Sequence, residues 1–194
     1  MKRTVILLAV MVLVLAASAS AFDGERRGFV LGGGLGFGPV AKVSIDDFPA
    51  DDYDKSGLAI NFIIGYAWDE QNMIVFLRDG IIYSEDFDLG TTTKSISIVQ
   101  GFSGVGYYHY FGPVGKSFFI TGGIGVQDWS SLDEDVESND VGGGFLVGGG
   151  YEFARHWQVY GSLSFGKTSY TDPFFGEIDY SHTQLMFTIS AVAF

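Results

Sequence analysis

The chain has no cysteine. Disulfides, thiolate metal sites, a cysteine nucleophile and the lipidated cysteine of a lipoprotein are thereby excluded. Proline is scarce, with four in 194 residues, and no linker rich in proline or serine divides the chain, so a single domain is expected. Bases are scarce as well: 11 Lys and Arg stand against 23 Asp and Glu, and none of the bases cluster. A nucleic-acid partner is excluded, because binding phosphates requires concentrated positive charge. Glycine and aromatics are plentiful, at 28 residues and 16% respectively. Glycine is poor in helix interiors, so this balance argues for β structure with close backbone approaches.

The first residues read as a processing segment. Lys2 and Arg3 precede an almost wholly apolar run from Thr4 to Ala17, and Ala19-Ser20-Ala21 is a small-residue cleavage site. The run is short for a spanning helix, which needs about 20 residues. Residues 1–21 are therefore expected to be a signal peptide and residues 22–194 the mature domain, exported from the cytoplasm. Losing Lys2 and Arg3 leaves nine bases against 23 acids, a formal charge of 9 − 23 = −14.

The stretch from Ser56 to Asp69 sets the pattern for the rest. Its even positions are Leu58, Ile60, Phe62, Ile64, Tyr66 and Trp68, while its odd positions are mostly small or polar. Successive side chains of a strand point to opposite faces, so one face is continuously apolar and ends in rings that favour a membrane–water boundary. The rule recurs in Gly28–Gly38, Lys116–Trp129, Val141–Ala154 and Trp157–Thr168, with large residues on one face and Gly, Ser or Gln on the other. In Met73–Ser84 the face of Met73, Val75, Leu77, Ile81 and Tyr83 is taken as outward. That face includes Asp79, so Asp79-Gly80 is read as a bulge in preference to a hairpin turn, and Arg78 falls inside. In Thr93–Tyr110, Ile96, Ile98, Phe102, Tyr108 and Tyr110 are taken as outward, with Gln100 as a blemish.

Eight strands result, the last from about Tyr180, joined alternately by long acidic loops and short turns. The loops Pro39–Lys55, Glu85–Thr92, Ser130–Asp140 and Thr171–Asp179 hold sixteen of the 23 acids. The three short turns lie beside Tyr66 and Trp68, Tyr108 and Tyr110, and Tyr151, Phe153 and Trp157, the positions a periplasmic aromatic girdle would take. The expected fold is all-β: an eight-stranded antiparallel transmembrane barrel with both termini on the periplasmic side. A soluble barrel with the same strands would have to present its glycines and serines to solvent and its large residues inward.

On this architecture, and on the C-terminal Phe194, the mature chain resembles the small eight-stranded outer-membrane β-barrel proteins of the OmpA-barrel and OmpX type. The resemblance implies location in the outer membrane among its lipids and lipopolysaccharide. It also implies that Phe194 is an assembly signal for the barrel-assembly machinery. Phe194 shares parity with Val192, Ser190 and Thr188, whereas Leu185, Phe187 and Ile189 lie on the other parity, so a late bulge is expected to reconcile them.

Function is less legible. A lipid-modifying enzyme would draw on His109, His156 or His182, but no nucleophile–base–orienter set can be assembled around any of them, and no catalytic residue, cofactor or metal ligand is assigned. A small channel or transporter for ions or small solutes would use the interior charges, read as Arg78 and Glu152 with Asn61, Gln127, Gln158 and Tyr160 around them. Eight strands leave a lumen that side chains fill, which favours a closed plug. The acidic loops could hold divalent cations that bridge lipopolysaccharide, with Asp133–Asp140 carrying the carboxylates of a calcium loop without its central glycine. The favoured reading is a barrel with a structural or surface-interaction role. Two outcomes are expected: mass spectrometry of protein from envelopes should give a mature N-terminus at Phe22, and Phe194→Ala should lower the amount of folded protein in the outer membrane.

Overall fold

The computed structural model describes residues 25–45, 53–88, 93–131, 139–172 and 176–194. The leader and eight of the loop acids (Asp46, Asp47, Asp51, Asp52, Asp133, Glu134, Asp135 and Glu137) lie outside the described residues, and with them most of the calcium-loop-like segment. Eight strands follow in order: β1 (Gly28–Ile45), β2 (Tyr53–Ala67), β3 (Asn72–Asp88), β4 (Thr93–Tyr110), β5 (Ser117–Ser131), β6 (Asn139–Ala154), β7 (Trp157–Asp172) and β8 (Gly176–Ala193). Each pairs antiparallel with its sequence neighbour, and β1 pairs with β8 to close the barrel. In lipid this closure is obligatory, since an open edge would leave a row of backbone groups without partners.

The tilt of the wall follows from the register. Partners traced from Leu31 through Ile64, Phe76, Val105, Ile124, Phe145, Phe165 and Thr183 return to β1 at Lys42, eleven positions further along. One of those positions is a β1 bulge between Gly38 and Ala41. A stagger of about ten residues over eight strands corresponds to a tilt of roughly 35–45° and a lumen that side chains can fill. Pro39, with no N–H to give, sits within this bulge. Below it Phe29, Leu35 and Phe37 face lipid; above it Ala41 and Val43 turn inward.

The opening pattern holds in β1, β2, β5, β6 and β7. Leu58, Phe62 and Tyr66 are exposed, as are Phe118, Ile124, Phe145, Val147 and Val159, while Asn61, Thr121, Gln127, Glu152, Gln158 and Ser162 are buried in the lumen. In β3 and β4 the faces are the reverse of those expected. Met73, Val75, Leu77, Asp79 and Ile81 are buried, and Ile74 and Phe76 face outward. Phe102, Tyr108 and Tyr110 are likewise inside, with Gln100, while Val105, Tyr107 and Phe111 are outside. The ladder from β2 to β3 runs unbroken through Asn61↔Asp79 and Ile60↔Gly80, so Asp79-Gly80 is neither bulge nor turn. The physical reason is volume. Glycines elsewhere leave space that large side chains on β2, β3, β5 and β7 fill: a Cβ on Gly106 would lie 2.2 Å from Leu77 Cδ2, one on Gly38 2.3 Å from Ile81 Cδ1, and one on Gly150 2.6 Å from Phe119 Cζ. Interior packing therefore alternates large against small around the wall.

The strands run 15–18 residues, whereas a span needs about 9–11, so they continue well past the hydrocarbon. Asp54, Glu85, Asp86, Asp88, Asp140, Asp172, Glu177 and Asp179, expected in loops, are on these extensions. Hydrogen bonding continues there because pairing, once in register, costs little to extend. Bases meet acids across the ladder: Lys42 opposes Asp54, and Lys55 lies 3.4 Å from Glu85. At the other end the turns are tight. Asp69 accepts hydrogen bonds from the backbone N–H groups of Gln71 and Asn72 (2.8 and 2.7 Å) and from Asn72 Nδ2, and the Asn72 side chain leads in holding its carboxyl below the ordinary range. The two-residue turn Arg155-His156 has His156 at φ 70°, with its ring nitrogen 2.9 Å from the Val192 carbonyl.

One comparison tests the packing argument. A Cβ on Gly36 would stand 1.9 Å from the Phe187 carbonyl oxygen, which is backbone, whereas one on Gly33 makes only an ordinary 3.5 Å contact. Gly36→Ala is expected to cost about 1–3 kcal/mol and Gly33→Ala less than about 0.5 kcal/mol, read as shifts in the urea midpoint of the folded-band gel mobility.

Candidate functional site in the barrel lumen

The lumen is layered from the end with the short turns upward. At the floor lies Arg26, which precedes β1 and is 0% exposed. Its guanidinium donates to Glu152 on β6 and to the Glu70 carbonyl in the β2–β3 turn, and stands 3.6 Å over the Tyr110 ring and 5.8 Å from that of Phe194. A carboxylate, a backbone carbonyl and a ring face seat the two Nη groups of this buried cation, while Arg26 Nε and Glu152 Oε1 have no hydrogen-bond partner among the described residues.

Above the floor is an aromatic layer. Tyr108 lies 5.6 Å from Phe119 and 6.3 Å from Tyr160, and Phe119 lies 6.2 Å from Tyr160, all ring to ring. β4, β5 and β7 thus meet across the lumen.

The middle is built on Asp79, also 0% exposed. It accepts from Asn61 Nδ2 at 2.6 Å, Tyr160 OH at 2.9 Å and Ser162 Oγ at 2.6 Å. Three donors from β2 and β7 replace the water that a carboxylate loses on burial. Higher still, Gln100 Nε2 reaches the carbonyls of Thr183 (3.3 Å) and Lys42 (3.4 Å), and His182 Nε2 lies 2.8 Å from Thr168 Oγ1.

Arg78 is not in this lumen. It lies on the outer face, 24% exposed in its side chain, and pairs with Asp128 while donating to Ser103 Oγ at 2.9 Å; its Nη2 is 2.8 Å from Asp128 Oδ2. The reason is the reversed face of β3: one inward place was available to the Arg78–Asp79 dipeptide, and the acid took it. Arg78 opposes Ser103, and Asp128 opposes Gly101, two residues further towards the outside on β4. The guanidinium crosses that step over bare backbone, since a Cβ on Gly101 would meet it at 2.8 Å. A long stem carrying a charge towards the interface keeps the cost of a lipid-facing arginine low. Glu152 is inside as placed by the alternation, and its partner is Arg26.

Of the residues expected in the girdle, Tyr66, Trp68, Phe153 and Trp157 are exposed on the outer wall. Tyr108 and Tyr110 are buried, and Tyr107 and Phe111 take the outer positions in their stead; Trp68 stacks on Tyr107 at 6.0 Å. Tyr151 is half-buried, 4.7 Å from the Phe118 ring. β8 has no late bulge, for its ladder with β7 is continuous from Ala191 to Gly176. Phe194 accordingly turns inward, 2% exposed, with its ring 5.0 Å from His156. Arg26 and Asp79 are the interior charges that alternation missed. The signal for Asp79 was the cost of placing it towards lipid; for Arg26, outside any strand, there was none.

Residues 7–190 match the model of the outer membrane protein β-barrel domain. The chain belongs to this family. It is a protein of the outer membrane. Among solved structures, it is similar to Neisserial surface protein A, from Neisseria, at 11% identity and a TM-score of 0.54, covering 84% of this chain and 96% of that one. It is similar also to Ail of Yersinia pestis, solved with the heparin analogue sucrose octasulfate, at 9% identity and a TM-score of 0.51, covering 84% of this chain and 99% of that one. At such identities the likeness is one of fold. No curated protein matches the sequence significantly.

The two ion pairs should respond differently to substitution. Glu152→Ala strands Arg26 in the floor and is expected to cost about 3–5 kcal/mol. Asp128→Leu, which leaves Arg78 free to reach the interface, should cost about 1–2 kcal/mol, and Arg78→Leu/Asp128→Leu should be near neutral. Urea titration in one lipid composition, followed by tryptophan fluorescence, reads all three.

Proposed function

We propose that the protein is a non-enzymatic outer-membrane barrel that acts at its external surface and not as a conduit. The observation that carries this reading is the floor: Arg26, wholly buried, is held by Glu152, Glu70, Tyr110 and Phe194 beneath the aromatic layer of Tyr108, Phe119 and Tyr160. An ion entering the lumen would have to displace a buried, doubly bonded cation and part three packed rings.

The histidines support the absence of catalysis. His109 Nδ1 is 2.8 Å from Asn72 Oδ1 and its ring stands edge-on to Phe111; His156 binds the Val192 carbonyl; His182 contacts Thr168. The first two serve the periplasmic turns. The third has no orienting carboxylate among its described hydrogen bonds, so Thr168 and His182 do not form a nucleophile–base–orienter set.

The external ends of the strands carry the acidic residues Asp54, Glu85, Asp86, Asp88, Asp140, Asp172, Glu177 and Asp179. That rim suits a basic partner, or divalent cations shared with the anionic lipopolysaccharide around it. Export through residues 1–21 and delivery by the barrel-assembly machinery through Phe194 complete the reading. With its ring enclosed in the finished barrel, Phe194 would be recognised before closure.

Planar-bilayer recording of protein that shows the heat-dependent mobility shift of a folded barrel tests the proposal. No discrete openings are expected. Reproducible unitary currents would replace this reading with the channel one.

A further inference from the structure

At the end with the short turns, the outer wall has a recess. One row of outward positions crosses four strands there: Phe62 on β2 opposes Gly33 on β1, Gly33 opposes Ala191 on β8, and Ala191 opposes Trp157 on β7. The two middle residues are small and the two outer ones are exposed rings, so the row is a trough with aromatic banks. Two residues further along each strand the corresponding row is Ile60, Leu35, Ile189 and Val159, and the trough ends against it. Ala193, opposite Leu31, carries the small floor towards the turns. The space amounts to about 560 Å³ and is bordered at its lower edge by Arg155 and His156. Small-molecule sites run roughly 300–1,000 Å³.

The turn at that edge is fixed in place. The Val192 N–H donates to the His156 carbonyl at 2.8 Å and the His156 ring nitrogen lies 2.9 Å from the Val192 carbonyl, which pins the β6–β7 turn to β8 beside the trough. Arg155 is nevertheless not neutralised. It is exposed, its side chain makes no hydrogen bond or ion pair with any described residue, and no acid borders the trough. In a chain with 23 acids and 11 bases, a guanidinium that keeps all its donors away from carboxylates must take an anion from its surroundings.

Those surroundings are a bilayer, because the chain is an outer-membrane barrel and this wall faces lipid. An apolar trough there fills with acyl chain, and the anion that accompanies an acyl chain is the phosphate of the same lipid. A phosphodiester matches the paired N–H groups of a guanidinium. Trp157, whose ring is apolar with one N–H, stands between the two parts, where such rings favour the interface.

We propose that Arg155, Trp157 and the trough floored by Gly33, Ala191 and Ala193 form a binding site for one anionic glycerophospholipid of the leaflet nearer the short turns. Its phosphate lies on Arg155, and its glycerol and first acyl carbons lie in the trough. A net negative headgroup is selected because a zwitterionic one carries its own ammonium, which competes with Arg155 for the phosphate. The site rests on the lipid-facing wall alone and is independent of whether the lumen is closed.

The test uses folded Trp68→Phe/Trp129→Phe protein in maltoside micelles, where Trp157 is the remaining tryptophan. Titration with phosphatidylglycerol bearing brominated acyl chains should quench it saturably at one lipid per barrel. Arg155→Gln is expected to weaken binding about tenfold, and Arg155→Lys less, since a point charge keeps the attraction without the paired bonds. Ala191→Leu, which fills the trough from the lipid side, should also weaken it about tenfold. If the double tryptophan replacement fails to give the heat-modifiable folded band, native mass spectrometry of the wild-type barrel should retain one phosphatidylglycerol, lost in Arg155→Gln. Quenching that never saturates, or that is equal in all variants, would reduce the site to the unselective lipid shell and overturn the proposal. Equal binding of brominated phosphatidylcholine would overturn it too, as would displacement of the lipid by glycerol 3-phosphate, which would mark a site for soluble phosphates. Bilayer conductance is indifferent to each of these outcomes and tests the closed floor separately.

Discussion

No backbone N–H or C=O can be left without a partner in hydrocarbon, and the pairing of β1 with β8 is how this chain meets that condition. Much else follows from closing eight strands with a stagger of about ten residues. The stagger sets the tilt and the tilt sets the radius. The radius leaves a lumen in which every inward side chain touches others, so each inward residue is chosen against its neighbours. Hence the pairing of Leu77 with Gly106, Ile81 with Gly38 and Phe119 with Gly150: the glycines are the recesses into which the large side chains fit.

The same narrowness governs charge. A carboxylate or guanidinium inside such a lumen loses its water and must find partners within reach. Glu152 and Arg26 find each other, together with a carbonyl and an aromatic face. Asp79 finds three donors from two strands. Arg78, on the same strand as Asp79 but facing the other way, meets a different medium and uses its length to reach Asp128. The neighbours Arg78 and Asp79 thus solve opposite solvation problems on the two sides of one sheet.

How much of this could be read from the sequence depended on how asymmetric each strand is. In β2 and β6 one face is large and the other small, and the alternation alone orients them correctly. In β3 both faces are apolar: Ile74 and Phe76 are as suited to lipid as Met73 and Leu77 are to a core, so hydropathy does not choose between them. The choice lay with the polar residues. Setting Met73 outward forced Asp79 towards lipid, and setting Tyr108 outward left Gln100 there too; reversing both strands removes both costs without any bulge. The described acids of the segments read as loops lie on strand ends because ladder hydrogen bonds, not hydropathy, decide where a strand stops above the membrane. Arg26 was illegible for another reason: its role depends on Glu152, Tyr110 and Phe194, residues distant in sequence that only closure brings together.

That arrangement has a temporal consequence. Arg26 stands just before the first strand and Phe194 directly follows the eighth, while Tyr110 and Glu152 come from the fourth and sixth. The floor is therefore a clasp whose parts come from both sides of the β1–β8 closure and from the strands between. It can fasten only when the final strand has docked beside the first. A barrel in which β8 had not docked would have its lower end unlatched, so the fastened floor marks closure.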